Sequence, residues 1–181
     1  MFPRSRFEWG LLILVTLALG SAWIIYSRES AALALDTTNL PSGPLVGYVA
    51  PDFTLSTPQG ETIRLSALRG RPVVVNFWAS WCGPCRVETP DIQAAARRYG
   101  DAVIFLGVNQ GESAETITKF SAEMNLSYRL LVDESSHVSD LYQVDALPST
   151  FFIDAAGVVQ ARIIGIVSGA VLQDKLSALL P

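Results

Sequence analysis

Pro72-Val73-Val74-Val75-Asn76-Phe77-Trp78-Ala79-Ser80-Trp81-Cys82-Gly83-Pro84-Cys85-Arg86-Val87-Glu88 is the stretch that decides how this chain folds. Residues 72–79 form a nearly unbroken apolar run rich in β-branched and aromatic side chains, as a strand covered on both faces should. The pattern then changes at once. Two cysteines separated by two residues open a segment that reads as a helix from about Gly83 towards Tyr99. Pro84 suits its first turn, where a missing N–H costs nothing, and Pro90 predicts a kink.

A buried strand that delivers a Cys-x-x-Cys pair to a helix start is the context of thiol–disulfide exchange. That chemistry needs a thiolate that attacks and a second thiol that resolves the mixed disulfide. At a helix start one sulfur stays exposed at the positive end and the other lies a turn inside, shielded. A thiol with a pKa of about 8.5 is only about 3% thiolate at pH 7, and lowering it to about 7 makes about half of it reactive. Cys82 is therefore read as the nucleophile and Cys85 as the resolving thiol. Half of a metal site or an inert disulfide are the competing readings of the pair.

Composition narrows the choice. The 181 residues hold two cysteines and one histidine. A disulfide scaffold would use more cysteines over longer loops, and a structural zinc site would normally want four Cys/His ligands. Half of the residues are apolar and the net charge is −4. A packed core is expected, and nucleic acid is not an expected partner without a concentrated basic face.

Outward towards the N-terminus, residues 9–26 carry no charge. As a helix they would span roughly 27 Å, the hydrocarbon thickness of a bilayer. Trp9, Trp23 and Tyr26 sit near its ends, and Arg4 and Arg6 precede it, so the N-terminus is expected to stay cytoplasmic and the rest to be exported. The expected organisation is a cytoplasmic 1–8, a transmembrane anchor or uncleaved signal at 9–27, a linker at 28–47 and a globular domain at 48–181. A cleavable signal peptide is the rival: Gly20-Ser21-Ala22 offers small residues, but the apolar run continues to Tyr26. A buried helix of the soluble domain is the third reading.

The globular part alternates strand-like and helix-like pieces. Segments 53–55 and 62–65 flank the turn Thr57-Pro58-Gln59-Gly60 as a hairpin. Strands are expected at 102–108 and 128–132, and helices at 113–124, capped by Ser113, and at 136–142. A second hairpin, 150–154 with 158–164, leads to a last helix capped by Ser168. The class is α/β with a mixed sheet.

The stretch from Val73 to Arg86 resembles thioredoxin, and the longer frame resembles the membrane-anchored TlpA/ResA-like branch of that superfamily, which is also AhpC/TSA-redoxin-like. Ala50-Pro51-Asp52-Phe53-Thr54-Leu55, Leu65-Ser66-Ala67-Leu68-Arg69-Gly70, Glu88-Thr89-Pro90 and Leu147-Pro148-Ser149-Thr150-Phe151-Phe152-Ile153-Asp154 carry the rest of the likeness. The resemblance implies a thioredoxin fold with an N-terminal β-hairpin and a central insertion, preceded by one transmembrane helix. It implies a protein-disulfide oxidoreductase whose redox group is the Cys82–Cys85 disulfide, with no further cofactor. It also implies that Pro148 is cis and faces the cysteines, leaving the backbone at Leu147 to pair with an extended client. Trp81, Gly83 and Pro84 would complete the client-binding surface. The clients implied are exported disulfide-containing proteins, among them apocytochrome c, with electrons from a membrane thiol donor.

Glu88, three residues after Cys85, shares its helix face. In the family an acid here influences the cysteines' proton transfers, and a carboxyl shielded from water would have a raised pKa and could take the proton of Cys85. Classical thioredoxins place an aspartate on the preceding strand where this chain has Asn76, which cannot titrate. Two alternatives of the same fold are weighed. A thiol peroxidase would need Thr or Ser three residues before its cysteine, where this chain has Ala79. A copper chaperone would draw on the lone His137, but its cysteines would be spaced by three residues rather than two.

Overall fold

β3 (Val73–Trp78) is buried at all six positions, and its side chains divide by parity. Val73, Val75 and Phe77 enter one core, while Val74 and Trp78 enter the cores on the opposite face. That is why the run shows no polar alternation: successive strand residues face opposite sides, and both sides are covered. The computed structural model describes residues 15–16 and 40–180. The residues from 40 onward belong to a single unit, Thr37–Pro181.

The elements follow in the order β1 (Thr54–Ser56), β2 (Thr62–Arg64), a 3-10 helix (Leu65–Leu68), β3, α1 (Gly83–Tyr99), β4 (Ile104–Gln110), α2 (Ala114–Glu123), β5 (Arg129–Asp133), α3 (His137–Leu141), β6 (Ser149–Ile153), β7 (Val159–Ile164) and α4 (Gly169–Leu179). Among the described residues the strands make one mixed sheet in the order β2-β1-β5-β4-β3-β6-β7. β3, β4 and β5 run parallel, and β1, β6 and β7 are antiparallel to their neighbours. This is the thioredoxin-like α/β arrangement, built on a mixed sheet. Among the described residues β1 and β2 join the rest of the sheet through β5, where Ser56 lies opposite Val132.

One face of the sheet is covered by Phe53, Ile63, Leu65, Val138 and Tyr142, the other by Ile92 and Ala95 of α1 with Leu172 and Leu176 of α4. Tyr142 is fully buried against Phe53, Phe77 and Phe151, and its hydroxyl donates to the Pro51 carbonyl at 2.8 Å, tying the N-terminal segment to the core. The expected strand 62–65 stops at Arg64 because Leu65 turns into the 3-10 helix. α1 continues through Pro90 as one helix. Ser113 and Ser168 cap α2 and α4 with their hydroxyls, as their positions before apolar periodicity predict.

The expected anchor at 9–27 lies outside the described residues apart from Val15 and Thr16, and so do residues 1–8 and the expected linker as far as 39. Among the described residues no helix is long and apolar enough to cross a membrane. From Pro41 the chain is fastened: Val49 N–H donates to the Pro41 carbonyl, and Gly47 N–H donates to Val159 on β7.

Candidate active site

The site begins where β3 runs out. Residues 79–81 turn sharply, and Cys82 N–H closes the turn on the Ala79 carbonyl at 3.2 Å. Glu112, on the loop from β4 to α2, holds this turn from the side. Its carboxylate accepts from Ser80 N–H at 2.7 Å, from the Ser80 hydroxyl at 2.5 Å and from the Asn109 amide at 2.7 Å. Cys82 is then the N-cap of α1, and its Sγ accepts from Cys85 N–H at 3.2 Å. The sulfur thus takes the place a Ser or Asp oxygen usually holds, where the unpaired N–H groups and the helix dipole favour negative charge.

Cys82 and Cys85 are joined in a disulfide, with Cα atoms 5.3 Å apart. Cys85 is fully buried, and Cys82 retains 4% exposure. The expectation of an openly exposed first sulfur is therefore corrected for this oxidised form: Cys82 lies among Trp78, Ala79, Ile117, Phe120 and Leu130. Of the pair, Cys82 alone lines the open groove.

Trp81, Gly83 and Pro84 line that groove together with residues 144–147. Trp81 is 72% exposed and so is not part of the core. The Leu147–Pro148 bond is cis. Leu147 lines the groove and Pro148 is buried behind it. The 143–148 loop is fixed along its length: Arg162 donates to the Gln143 carbonyl, Val144 N–H to Ser139, the Ser149 hydroxyl to Ala146, and Gly165 N–H to Pro148. Among the described residues the N–H groups of Ala146 and Leu147 have no partner.

Glu88 lies one turn past Cys85 and is 1% exposed. Its Oε1 accepts from the Asn76 amide at 2.8 Å and its Oε2 from Val167 N–H at 2.8 Å. The Asn76 amide also donates to the Thr150 hydroxyl at 3.0 Å. Burial pushes the Glu88 carboxyl up to about 7, against the pull of the Val167 and Asn76 donors. Two neutral donors do not replace the water that an ionised carboxylate loses. The group is therefore poised to hold or release a proton near neutral pH.

Residues 46–162 match the AhpC/TSA family. The chain belongs to that family. Within it, the chain is 34% identical to the thiol:disulfide interchange protein DsbE of Pseudomonas fluorescens biotype C, over 94% of this chain and 93% of that one. It is also 34% identical to the thiol-disulfide oxidoreductase ResA of Geobacillus thermodenitrificans, along the whole of both chains. A crystal structure from Chlorobium tepidum, assigned as a thiol:disulfide interchange protein DsbE, superposes with a TM-score of 0.71 at 30% identity, covering 76% of this chain and 99% of that one. This AhpC/TSA protein is a thiol–disulfide oxidoreductase like the relatives it matches.

The structure brings Trp81, Cys82, Gly83, Pro84 and Leu147 to one groove, with Pro148 behind it and Cys85 and Glu88 in the interior of α1. His137 stands exposed at the start of α3. Among the described residues no group of three His, Cys, Asp or Glu side chains is placed to hold a metal ion. Glu112, Thr150 and Val167 were not singled out in the sequence. Thr150 and Val167 act through contacts 74 and 79 residues away in sequence, and Glu112 through one 32 residues away. Only a three-dimensional pairing reveals such partners.

Proposed function

We propose that this AhpC/TSA protein is held in the membrane by residues 9–27, works on the extracytoplasmic side, and reduces disulfides in exported proteins, apocytochrome c among them. The observation that carries this is the placement of the two sulfurs: Cys82 caps α1 and borders an open groove, while Cys85 is sealed beneath it. In the reduced protein the Cys82 thiolate attacks one sulfur of the client disulfide and expels the other as a thiolate. Cys85, losing its proton to Glu88, then attacks Cys82 Sγ and releases the client's second sulfur. Both client sulfurs gain protons, two electrons pass to the client, and the Cys82–Cys85 disulfide remains. A membrane thiol donor restores the dithiol, and the cysteine pair needs no further cofactor.

The free N–H groups beside cis-Pro148, with Trp81 lining the same groove, suit an extended client segment. The Gly-Pro pair between the cysteines resembles strongly reducing thioredoxins, which favours reduction over oxidation as the working direction. Insulin-disulfide reduction by the full chain, with Cys82→Ser as control, tests the activity. A Cys85→Ser variant in native membranes should accumulate client mixed disulfides. Reduction that survives Cys82→Ser would sink the assignment of the nucleophile.

A further inference from the structure

β3, β4 and β5 run parallel, so the domain has two distinct ends. The cysteine pair lies where β3 finishes, and the opposite end is where the three strands begin. Five arginines far apart in sequence meet at that second end. Arg71 stands just ahead of β3 and Arg129 opens β5, and the two line one surface hollow. Arg69 shares a second hollow with Arg71, and its Nε lies 3.1 Å from where a Cβ would stand on Gly157. Arg97 and Arg98 occupy the last turn of α1, whose Ala96, with the following Gly100, borders the first hollow. All five are exposed, and none makes an ion pair among the described residues.

Three carboxylates border these arginines: Asp101, whose carbonyl accepts from Arg71, Asp154 in the second hollow, and Glu61 beside Arg129. Asp52, also in the second hollow, is paired with Arg64. Five cations against three anions leave a formal balance of +2 at this end. Over the rest of residues 40–180, Arg86, Lys119, Arg162 and Lys175 stand against ten acidic residues, a balance of −6. The fold thus separates charge along the sheet. The chain also enters the domain at the arginine end. Ser42 and Val49 line the hollow of Arg69 and Arg71, and Gly47 N–H donates to Val159, the first residue of β7. Tyr48 N–H closes a turn on the Leu45 carbonyl, and Leu45 and Val46 in that turn are 49% and 60% exposed. Residues 28–40 alone separate the expected anchor from Pro41, a reach of at most about 50 Å.

We propose that the arginine end of the domain docks on anionic lipid headgroups of the membrane that holds residues 9–27, with Leu45 and Val46 entering the interface and the cysteine pair turned away from the bilayer. This rests on the membrane-anchor reading above and adds a docking face and a lipid class to it. A negative membrane surface attracts basic side chains that come within a Debye length, about 8–10 Å, and the short connection keeps this end close enough to sample that layer. The same surface repels the acidic remainder, so the separation of charge sets the orientation as well as the contact. Exposed apolar side chains beside basic ones are what an interfacial contact uses.

The test reconstitutes the full chain into nanodiscs of phosphatidylcholine, alone or mixed with phosphatidylglycerol, and follows backbone amide exchange. In the anionic discs at low salt, exchange over residues 43–50 and 69–71 should be roughly three- to ten-fold slower than in the neutral discs, while exchange around Cys82 is the same in both. High salt should remove the difference. Arg69→Gln, Arg71→Gln and Arg129→Gln together should also remove it and leave insulin-disulfide reduction unchanged. Equal exchange in the two discs, or slowing that survives the triple substitution, would overturn the docking and leave the anchor reading intact. Release of the chain from vesicles by alkaline carbonate would overturn the anchor reading, and this proposal with it.

Discussion

Glu88→Gln separates the chemical role of this carboxyl from its structural one. The side chain is buried, and its folded pKa of about 7 stands above the ordinary 4.5. Below pH 4.5 folded and unfolded chains both carry the proton, so this group leaves stability unchanged there. Between 4.5 and 7 the unfolded chain releases the proton while the folded chain keeps it, so stability falls as pH rises and levels off above about 7. At about 1.4 kcal/mol per pH unit the loss across that window is roughly 3 kcal/mol. Glutamine has no proton to lose. Its Oε1 can accept from Val167, and if the Asn76 amide turns over, Asn76 can accept from the new Nε2 and from the Thr150 hydroxyl. The variant should therefore keep its fold, show a flat urea-unfolding stability from pH 5 to 8, and exceed the native protein by up to roughly 3 kcal/mol at the alkaline end. Its disulfide-reduction rate should drop several-fold and lose its dependence on an ionisation near pH 7. Parallel stability curves for the two proteins would refute the burial argument, and an unchanged rate from pH 6 to 9 would refute the proton-transfer role.

Tyr142→Phe removes the hydroxyl that donates to Pro51 and leaves that carbonyl unpaired, which should cost about 1–3 kcal/mol in urea unfolding with reductase activity retained. Gly107→Ala places a methyl 2.8 Å from Leu130 Cδ2 and 3.1 Å from Trp78 Nε1, so overpacking should destabilise by about 1–3 kcal/mol and alter tryptophan fluorescence; an unaltered midpoint and spectrum would contradict the packing. Glu112→Ala strips the acceptor from Ser80, and amide exchange at Ser80 should accelerate markedly while exchange in β3 stays slow.

Much of this architecture is legible in one dimension because the signals are local. The β3 run, the Ser113 and Ser168 caps and the Ala155-Ala156-Gly157 turn each depend on neighbours within a few residues. The cysteine pair is legible for the same reason, since spacing and helix position are both sequence properties. Other features rest on long-range partners. Leu65 fits a strand by composition but is drawn into a 3-10 turn, with its N–H on Phe53 and its side chain in the core. The exposure of Cys82 was misjudged because the wall around it comes from α2 and β5. Thr150 reads as an ordinary strand residue, and only the β3–β6 register, which sets it opposite Asn76, shows that it completes the support of Glu88.

Two carboxylates among the described residues are nearly sealed from water, Glu88 and Asp133, and their hydrogen-bond partners differ. Asp133 receives Val138 N–H, Ser139 N–H and the Ser139 hydroxyl, donors that all come from the chain turning into α3, so it serves as the fastening of that turn. Glu88 receives one neutral donor on each oxygen, from β3 and from the approach to α4, and fastens no helix start of its own. Its burial lowers stability at neutral pH, whereas an amide at the same place could make the same contacts without that cost. A fold selected for stability alone would have no use for the acid. Its position three residues after the sealed Cys85, on the same helix, is what supports the proposed proton transfer: a thiol that must lose a proton where water does not reach needs an acceptor built into the protein.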